Sequence, residues 1–200
     1  MNRITASCRI TNRGVFVDGQ LLKPFSGDDP VENLGAAYKG LALDYPKFYK
    51  MDLLAKAAFL GVEILKSNCP DLAGDADDDP AMLFANSESS SDTDLKFEES
   101  YGNNGLPSPS LFVYTLPNIA MGEVAIRNKW YGSQMFAVFP NFAPAYYADQ
   151  ARLLSDEGAK KWICGWIDVR EKLDVLLFAL DDAMLHEPEL VTGIQHLYDN

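Results

Sequence analysis

Apolar positions along the chain follow two rhythms, separated by polar stretches with no period. The first rhythm is the short apolar run bounded by breakers, which suits a strand buried in a sheet. It appears at Ala81 to Ala85, Met135 to Phe139, Trp162 to Ile167 and Leu173 to Leu180. Arg3 to Ile10 also reads as a strand, and Val15 to Val17 extends it after a turn at Asn12 to Gly14. The second rhythm is helical. Leu54, Ala58, Val62 and Leu65 form one stripe of a helix over Met51 to Lys66, and Asp52 supports its first turn. Ile119, Gly122, Glu123 and Ile126 recur at the same spacing, with Thr115 as the expected cap and Gly132 as the stop. A further helix covers Ala143 to Leu154 and ends at Gly158.

The polar stretches are loops. Residues 18 to 47 are rich in Gly, Pro and Asp and hold a short helix near Pro30 to Lys39. Asp71 to Pro80 carries five aspartates, but no glycine or glutamate follows at EF-hand spacing, so a solvated loop is expected. Asn86 to Asp94 is a polar turn feeding a helix over Thr93 to Tyr101, and His186 to Tyr198 forms a last helix. The strand at Met135, the break at Pro140-Asn141, the helix from Ala143 and the strand at Trp162 make a right-handed βαβ unit. Arg170 to Lys172 is too short for a crossover, so the strand after it runs antiparallel. The expected architecture is α/β, a mixed five-stranded sheet with helices on both faces, in one domain over residues 1–200.

Between Ser108 and Val169 these elements carry a recurring set of words: Ser108-Pro109, Leu116-Pro117-Asn118, Gly132-Ser133 and Phe139-Pro140-Asn141. In this order and spacing they resemble the amino-terminal half of a β-ketoacyl synthase, of the thiolase-like superfamily. Weaker resemblance reaches back to Ile4 and covers Met51 to Leu65 and Met82 to Asp94. It implies a thiolase-like half-fold; a complete ketosynthase packs two such halves face to face. It also implies that Asn141 stands where the family has its acyl-accepting cysteine. A carboxamide does not attack thioesters. By the same resemblance Phe112, Asn118, Phe139, Asn141 and Phe142 are candidates for an acyl pocket. Met135, Phe136, Ala137 and Val138 are candidates for a dimer edge, where the family's strand pairs with its twofold mate. The loop from Asn86 lies in the family near the acyl pocket and the dimer interface.

The remaining chemistry is sparse. The family's two histidines and lysine come from its second half, whereas His186 and His196 here stand outside the family's histidine motifs and read as surface residues. Cys164 lies mid-strand and reads as buried and inert; Cys8 and Cys69 read as structural. Glu63, Glu88 and Glu123 read as isolated surface carboxylates. Three cysteines without CxxC spacing suit neither a disulfide framework nor a zinc site. Neither a cofactor nor a metal is implied.

With a net charge of −12, the chain is a poor ligand for nucleic acid and for anionic membranes. The amino terminus lacks a signal-peptide apolar core, and a cytoplasmic protein is expected. The functional expectation is a non-condensing ketosynthase-like partner, of the chain-length-factor kind, in fatty-acid or polyketide-type (polyene) biosynthesis. It would act as a homodimer or as a heterodimer with a ketosynthase. The alternatives are a module that holds an acyl chain or an acyl carrier protein, and an acyltransferase with an unrecognised nucleophile. Carrier proteins are acidic, so docking one requires a local basic patch, for which Lys47, Lys50, Arg127 and Lys129 are candidates.

Overall fold

The computed structural model describes residue 4 and residues 6–73, 79–102 and 105–200. The expected strand start at Arg3 and the middle of the aspartate-rich loop lie outside the described residues. The strands are β1 (Ala6–Thr11), β2 (Gly14–Val17), β3 (Gln20–Pro24), β4 (Ala81–Asn86), β5 (Gln134–Val138), β6 (Lys161–Asp168) and β7 (Asp174–Asp181). The helices are α1 (Pro30–Gly40), α2 (Leu53–Asn68), α3 (Ser91–Gly102), α4 (Pro109–Val113), α5 (Ile119–Asn128), α6 (Pro144–Asp156) and α7 (Leu190–Asp199).

One mixed sheet holds all these strands in the order β3-β2-β1-β7-β6-β4-β5. Parallel pairs join β4 to β5 and to β6, and β6 to β7 is antiparallel, as the short connection requires. The sheet has seven strands rather than the expected five. Both extra strands come from two-residue hairpins. Thr11 pairs with Gly14 across the first turn. Val17 pairs with Gln20 across Asp18-Gly19, where φ is 47° and 77°. Two consecutive positive φ values fit the twist of a tight hairpin, and Asp-Gly is a residue pair that adopts them readily. That signal was legible in the sequence, and the polar composition of residues 18 to 47 masked it.

The chain leaves β4 for β5 through α5 and returns from β5 to β6 through α6. Right-handed connections running in opposite directions across a sheet need opposite faces. Accordingly α1, α2 and α5 pack on one face, with Cys8, Ile10, Phe84 and Leu177. On the other face α6 and α7 pack against Leu83, Trp162, Trp166 and Phe178. α2 is the most deeply buried helix. Asp52 caps it by accepting from the Ala55 N–H at 2.8 Å, as its position predicts. Gly61 lets the helix approach the sheet: a Cβ there would lie 2.8 Å from Leu177 Cδ2.

Two local expectations are corrected. Thr115 does not cap α5; its hydroxyl donates to the Phe112 carbonyl, and Asn118 is the capping residue. Gly132 does not end α5, which stops at Lys129 in the left-handed conformation, φ 58°. Gly132 serves a close approach instead, because a Cβ there would lie 2.6 Å from the Pro80 carbonyl oxygen.

Candidate functional site

In open α/β sheets, ligands gather at the carboxyl ends of the parallel strands. Here those ends are Asn86 of β4, Val138 of β5 and Asp168 of β6. Beyond Val138 the Phe139 N–H still donates to the Asn86 carbonyl at 2.9 Å. The chain then bends at Pro140-Asn141 and enters α6 with Pro144 in its first turn, where a missing N–H costs nothing. Asn141 therefore lies at a strand-to-helix junction, and it is exposed.

Aromatic side chains pack beside this junction. Phe142 stacks on Tyr198 with ring centres 4.2 Å apart, and it meets Tyr147 and Trp166 at 5.7 and 5.8 Å. Phe139 packs on Tyr146 at 5.1 Å. Tyr147 is fully buried and donates its hydroxyl to the Gly165 carbonyl at 2.9 Å. Burial raises the hydroxyl pKa of Tyr146 to about 12 and that of Tyr147 well above the ordinary value. None of these groups is a base near neutral pH.

Phe139, Asn141 and Phe142 are thus neighbours in one stretch, while Phe112 and Asn118 belong to other elements. Phe112 packs on Phe97 of α3 at 5.6 Å, and Asn118 begins α5 on the α2 face. Met135 and Val138 are exposed on β5, with Phe136 and Ala137 half-buried between them. β5 is the last strand of the sheet. His186 and His196 are both exposed, as expected of surface residues. Cys8, Cys69 and Cys164 are buried and unpaired. Burial raises the thiol pKa of Cys8 to about 12 and that of Cys164 well above its usual value. Cys164 is therefore a thiol rather than a nucleophilic thiolate.

The β4 end carries a polar network in which Ser87 and Thr93 meet Asp168 and Asp52, partners distant in sequence. Asp168 accepts from the Ser87 N–H at 2.9 Å and from its hydroxyl at 3.0 Å. The Asn86 carboxamide accepts from the Ser89 N–H and donates to the Ser89 carbonyl, both at 2.8 Å, fixing Ser89 at φ 54°. Thr93 donates to Asp52 at 2.8 Å. Burial raises the carboxyl pKa of both Asp52 and Asp168. The cavity among these groups is about 20 Å³, room for about one water molecule and too small for an acyl chain. The Ser87 hydroxyl is engaged by the Asp168 carboxylate, and no histidine lines the cavity.

Glu123 is the clearest departure from expectation. It is buried, not a surface carboxylate: Tyr114 donates to it at 2.9 Å and Lys47 pairs with it at 2.7 Å. The pairing joins residues distant in sequence, so spacing carries no trace of it. The same contact neutralises part of the candidate basic patch, since Arg127 also lies 3.9 Å from Glu63 while Lys50 and Lys129 are exposed. A second concavity, an open groove of about 380 Å³, lies between the β1–β2 turn, the β6–β7 turn and α7. Arg9, Arg13 and Lys172 line it, and Arg9 pairs with Asp174 at 2.6 Å. Among the described residues, no group of three or more His, Cys, Asp or Glu is placed to hold a metal ion. No described helix is long and apolar enough to cross a membrane.

Solved ketosynthase and chain-length-factor structures share this fold. The chain superposes on the ishigamide ketosynthase/chain length factor with a TM-score of 0.61 and 14% identity, covering 90% of this chain and 62% of that one. It superposes on a chain of the ketosynthase ApeO in complex with its chain length factor ApeC, from Xenorhabdus doucetiae, with a TM-score of 0.59 and 12% identity. That match covers 98% of this chain and 91% of the other, so the two are of comparable length. A third match is to a chain of AntDE:AntF, a type II PKS acyl-carrier protein in complex with its ketosynthase. Its TM-score is 0.57 at 10% identity, over 90% of this chain and 63% of that one. The chain thus spans less than two thirds of the first and third of these relatives. No protein-family model matches the sequence, and no curated protein matches it.

Proposed function

We propose that this chain is a non-condensing, chain-length-factor-like accessory subunit that pairs with a ketosynthase in acyl-chain assembly of the polyketide or polyene type. The observation that carries the reading is the β5–α6 junction. There the exposed carboxamide of Asn141 stands beside the packed rings of Phe142, Tyr147, Trp166 and Tyr198, and both histidines are exposed. The resemblance of the sequence around Pro140-Asn141 is what equates this turn with the family's nucleophile position. The neighbours add support, since two of the three pair ketosynthase with chain length factor in their names. Under this reading residues 1–200 act as one domain of a cytoplasmic protein. Association uses the open β5 edge, where Met135, Phe136, Ala137 and Val138 form an apolar run without lysine, proline or glycine.

The test is an assay of the purified chain with acyl and malonyl thioesters, with mass spectrometry for covalent adducts. Neither turnover nor an acyl adduct is expected, and Asn141→Cys alone is not expected to restore condensation, because His186 and His196 stand outside the family's histidine motifs. Turnover by the unmodified protein would refute the reading. An adduct would support the acyltransferase alternative.

The groove at the β1–β2 turn favours a second role, acyl-carrier-protein docking. Among the described residues Arg13 and Lys172 form no ion pair, so they offer free cations to an acidic partner more readily than Lys47 or Arg127 do. Arg13→Glu with Lys172→Glu is expected to abolish retention of carrier protein on a column. Unchanged retention would remove this role.

A further inference from the structure

Two unlike surfaces of this chain are complementary in charge and cannot reach each other within one molecule. The first is the open groove of about 380 Å³ between the β1–β2 turn, the β6–β7 turn and α7. Its walls are tied together, since Asn12 accepts from the Leu173 N–H at 2.8 Å. Both acids that line it are already engaged. Asp174 pairs with Arg9 at 2.6 Å and accepts from the Tyr198 hydroxyl at 2.8 Å, and Asp199 accepts from Gln195 at 2.9 Å. Arg13 and Lys172 form no ion pair among the described residues, so the groove presents positive charge.

The second surface is the outward stripe of α6. Asp149, Leu153 and Asp156 recur at i, i+4 and i+7, Glu157 follows at the end of the helix, and all four are exposed. Leu153 is 54% exposed, an apolar side chain flanked by carboxylates. Asp149 pairs with Arg152 at 3.3 Å, whereas Asp156 and Glu157 form no ion pair among the described residues. They stand at a helix carboxyl end, where the dipole opposes negative charge, and the last turn of α6 holds no basic residue to offset them. Asp182 adds a carboxylate at this end, where it accepts from the Ser155 hydroxyl at 2.5 Å. Lys160 is exposed there, and Lys161 donates to the Asp71 carbonyl at 2.9 Å.

β6 separates the two surfaces. α6 leads to its first residue, Lys161, and the turn after its last, Asp168, carries Lys172. The eight residues of that strand hold the two ends about 23 Å apart. A copy therefore cannot fill its own groove with its own α6, whereas a second copy displaced along the strand direction can. We infer that copies of this chain associate head to tail, the Leu153 stripe of α6 in one copy seated in the groove of the next, with Asp156 and Glu157 against Arg13 and Lys172. A net charge of −12 opposes self-association, but at physiological salt the Debye length is about 8 Å, and pairs in contact outweigh charges beyond it. The contact joins two different surfaces, so it extends into a ring or a filament rather than stopping at a pair. It leaves β5 open, which makes it independent of pairing with a ketosynthase, and it gives the groove an occupant other than a carrier protein.

The experiment is sedimentation of the purified full chain over a concentration series. The weight-average mass is expected to rise continuously with concentration. Asp156→Lys with Glu157→Lys, and separately Arg13→Glu with Lys172→Glu, are each expected to weaken association at least tenfold. An equimolar mixture of these two charge variants is expected to associate again, because each supplies the surface that complements the other. Leu153→Ser is expected to weaken association as well, and repeats the test if a charge variant fails to fold. Ala137→Pro on β5 is expected to change nothing. A monomer at every concentration overturns the inference. So does a mass that stops at two copies and ignores both charge variants, and so does a mixture that stays dissociated while both variants keep the far-ultraviolet dichroism of the unmodified chain. Loss of association in Ala137→Pro alone would place the contact at β5, overturning the head-to-tail inference and leaving the pairing reading in place.

Discussion

Two glycines make opposite cases from the same residue type. In α2, Gly61 faces Leu177, which is fully buried and already meets Gly165 on its other side; a Cβ at either glycine would lie 2.8 Å from a Leu177 methyl. Alanine gains about 1 kcal/mol of helix propensity over glycine. Overpacking a filled core costs about 1–3 kcal/mol. Gly61→Ala is therefore expected to lower the urea midpoint. Gly35 in α1 has nothing within 4 Å of its missing Cβ, so Gly35→Ala is expected to raise the midpoint, through a gain in stability of about 0.5–1 kcal/mol. Asp52 gives a pH prediction. Its folded carboxyl pKa lies above the ordinary 3.8, chiefly because burial disfavours the charge. The folded state then holds the proton more tightly than the unfolded one. That contribution is fully present below pH 3.8 and is lost as pH rises through the raised value. Asp52→Asn keeps a cap for α2 and removes the titration. Relative to this variant, the unmodified chain is expected to lose stability in urea melts as pH rises from 3.8 toward neutral.

Among the elements, β5 and α6 divide the functional question. α6 buries Tyr147, Ala148, Ala151 and Leu154 against the sheet, while Asp149 and Asp156 are exposed and Gln150 and Arg152 half-buried. Its outward face thus meets water or a polar partner, as its charges predict. β5 presents an unpaired backbone edge next to β4. Ala137→Pro removes one backbone donor and Ala137→Lys places a charge on the edge; both are expected to abolish association with a ketosynthase partner in light scattering of the mixture while leaving this chain's far-ultraviolet dichroism unchanged. Buried Glu123 joins α5 to Tyr114 and Lys47. Glu123→Ala leaves the Tyr114 hydroxyl without its acceptor, an expected loss of about 1–3 kcal/mol in denaturant titration.

For the molecule as a whole, what the sequence determined is what short-range pattern encodes. Apolar runs marked β4, β5, β6 and β7, and helical stripes marked α2, α5 and α6, because each face must be apolar to be buried at all. The short turn after β6 forced an antiparallel neighbour, and the words from Ser108 to Asn141 pointed to the ketosynthase fold before any coordinates did. Tertiary structure decided what depends on residues far apart in the chain. It decided that β5 lies at the sheet's edge. It buried Glu123 beside Lys47 and Tyr114. It also left Leu95, Phe112 and Val113 of α3 and α4 exposed. Hydrophobic pattern records that a side chain prefers to leave water. Which surface receives it, in this chain or another, is settled only when distant segments compete for the same space.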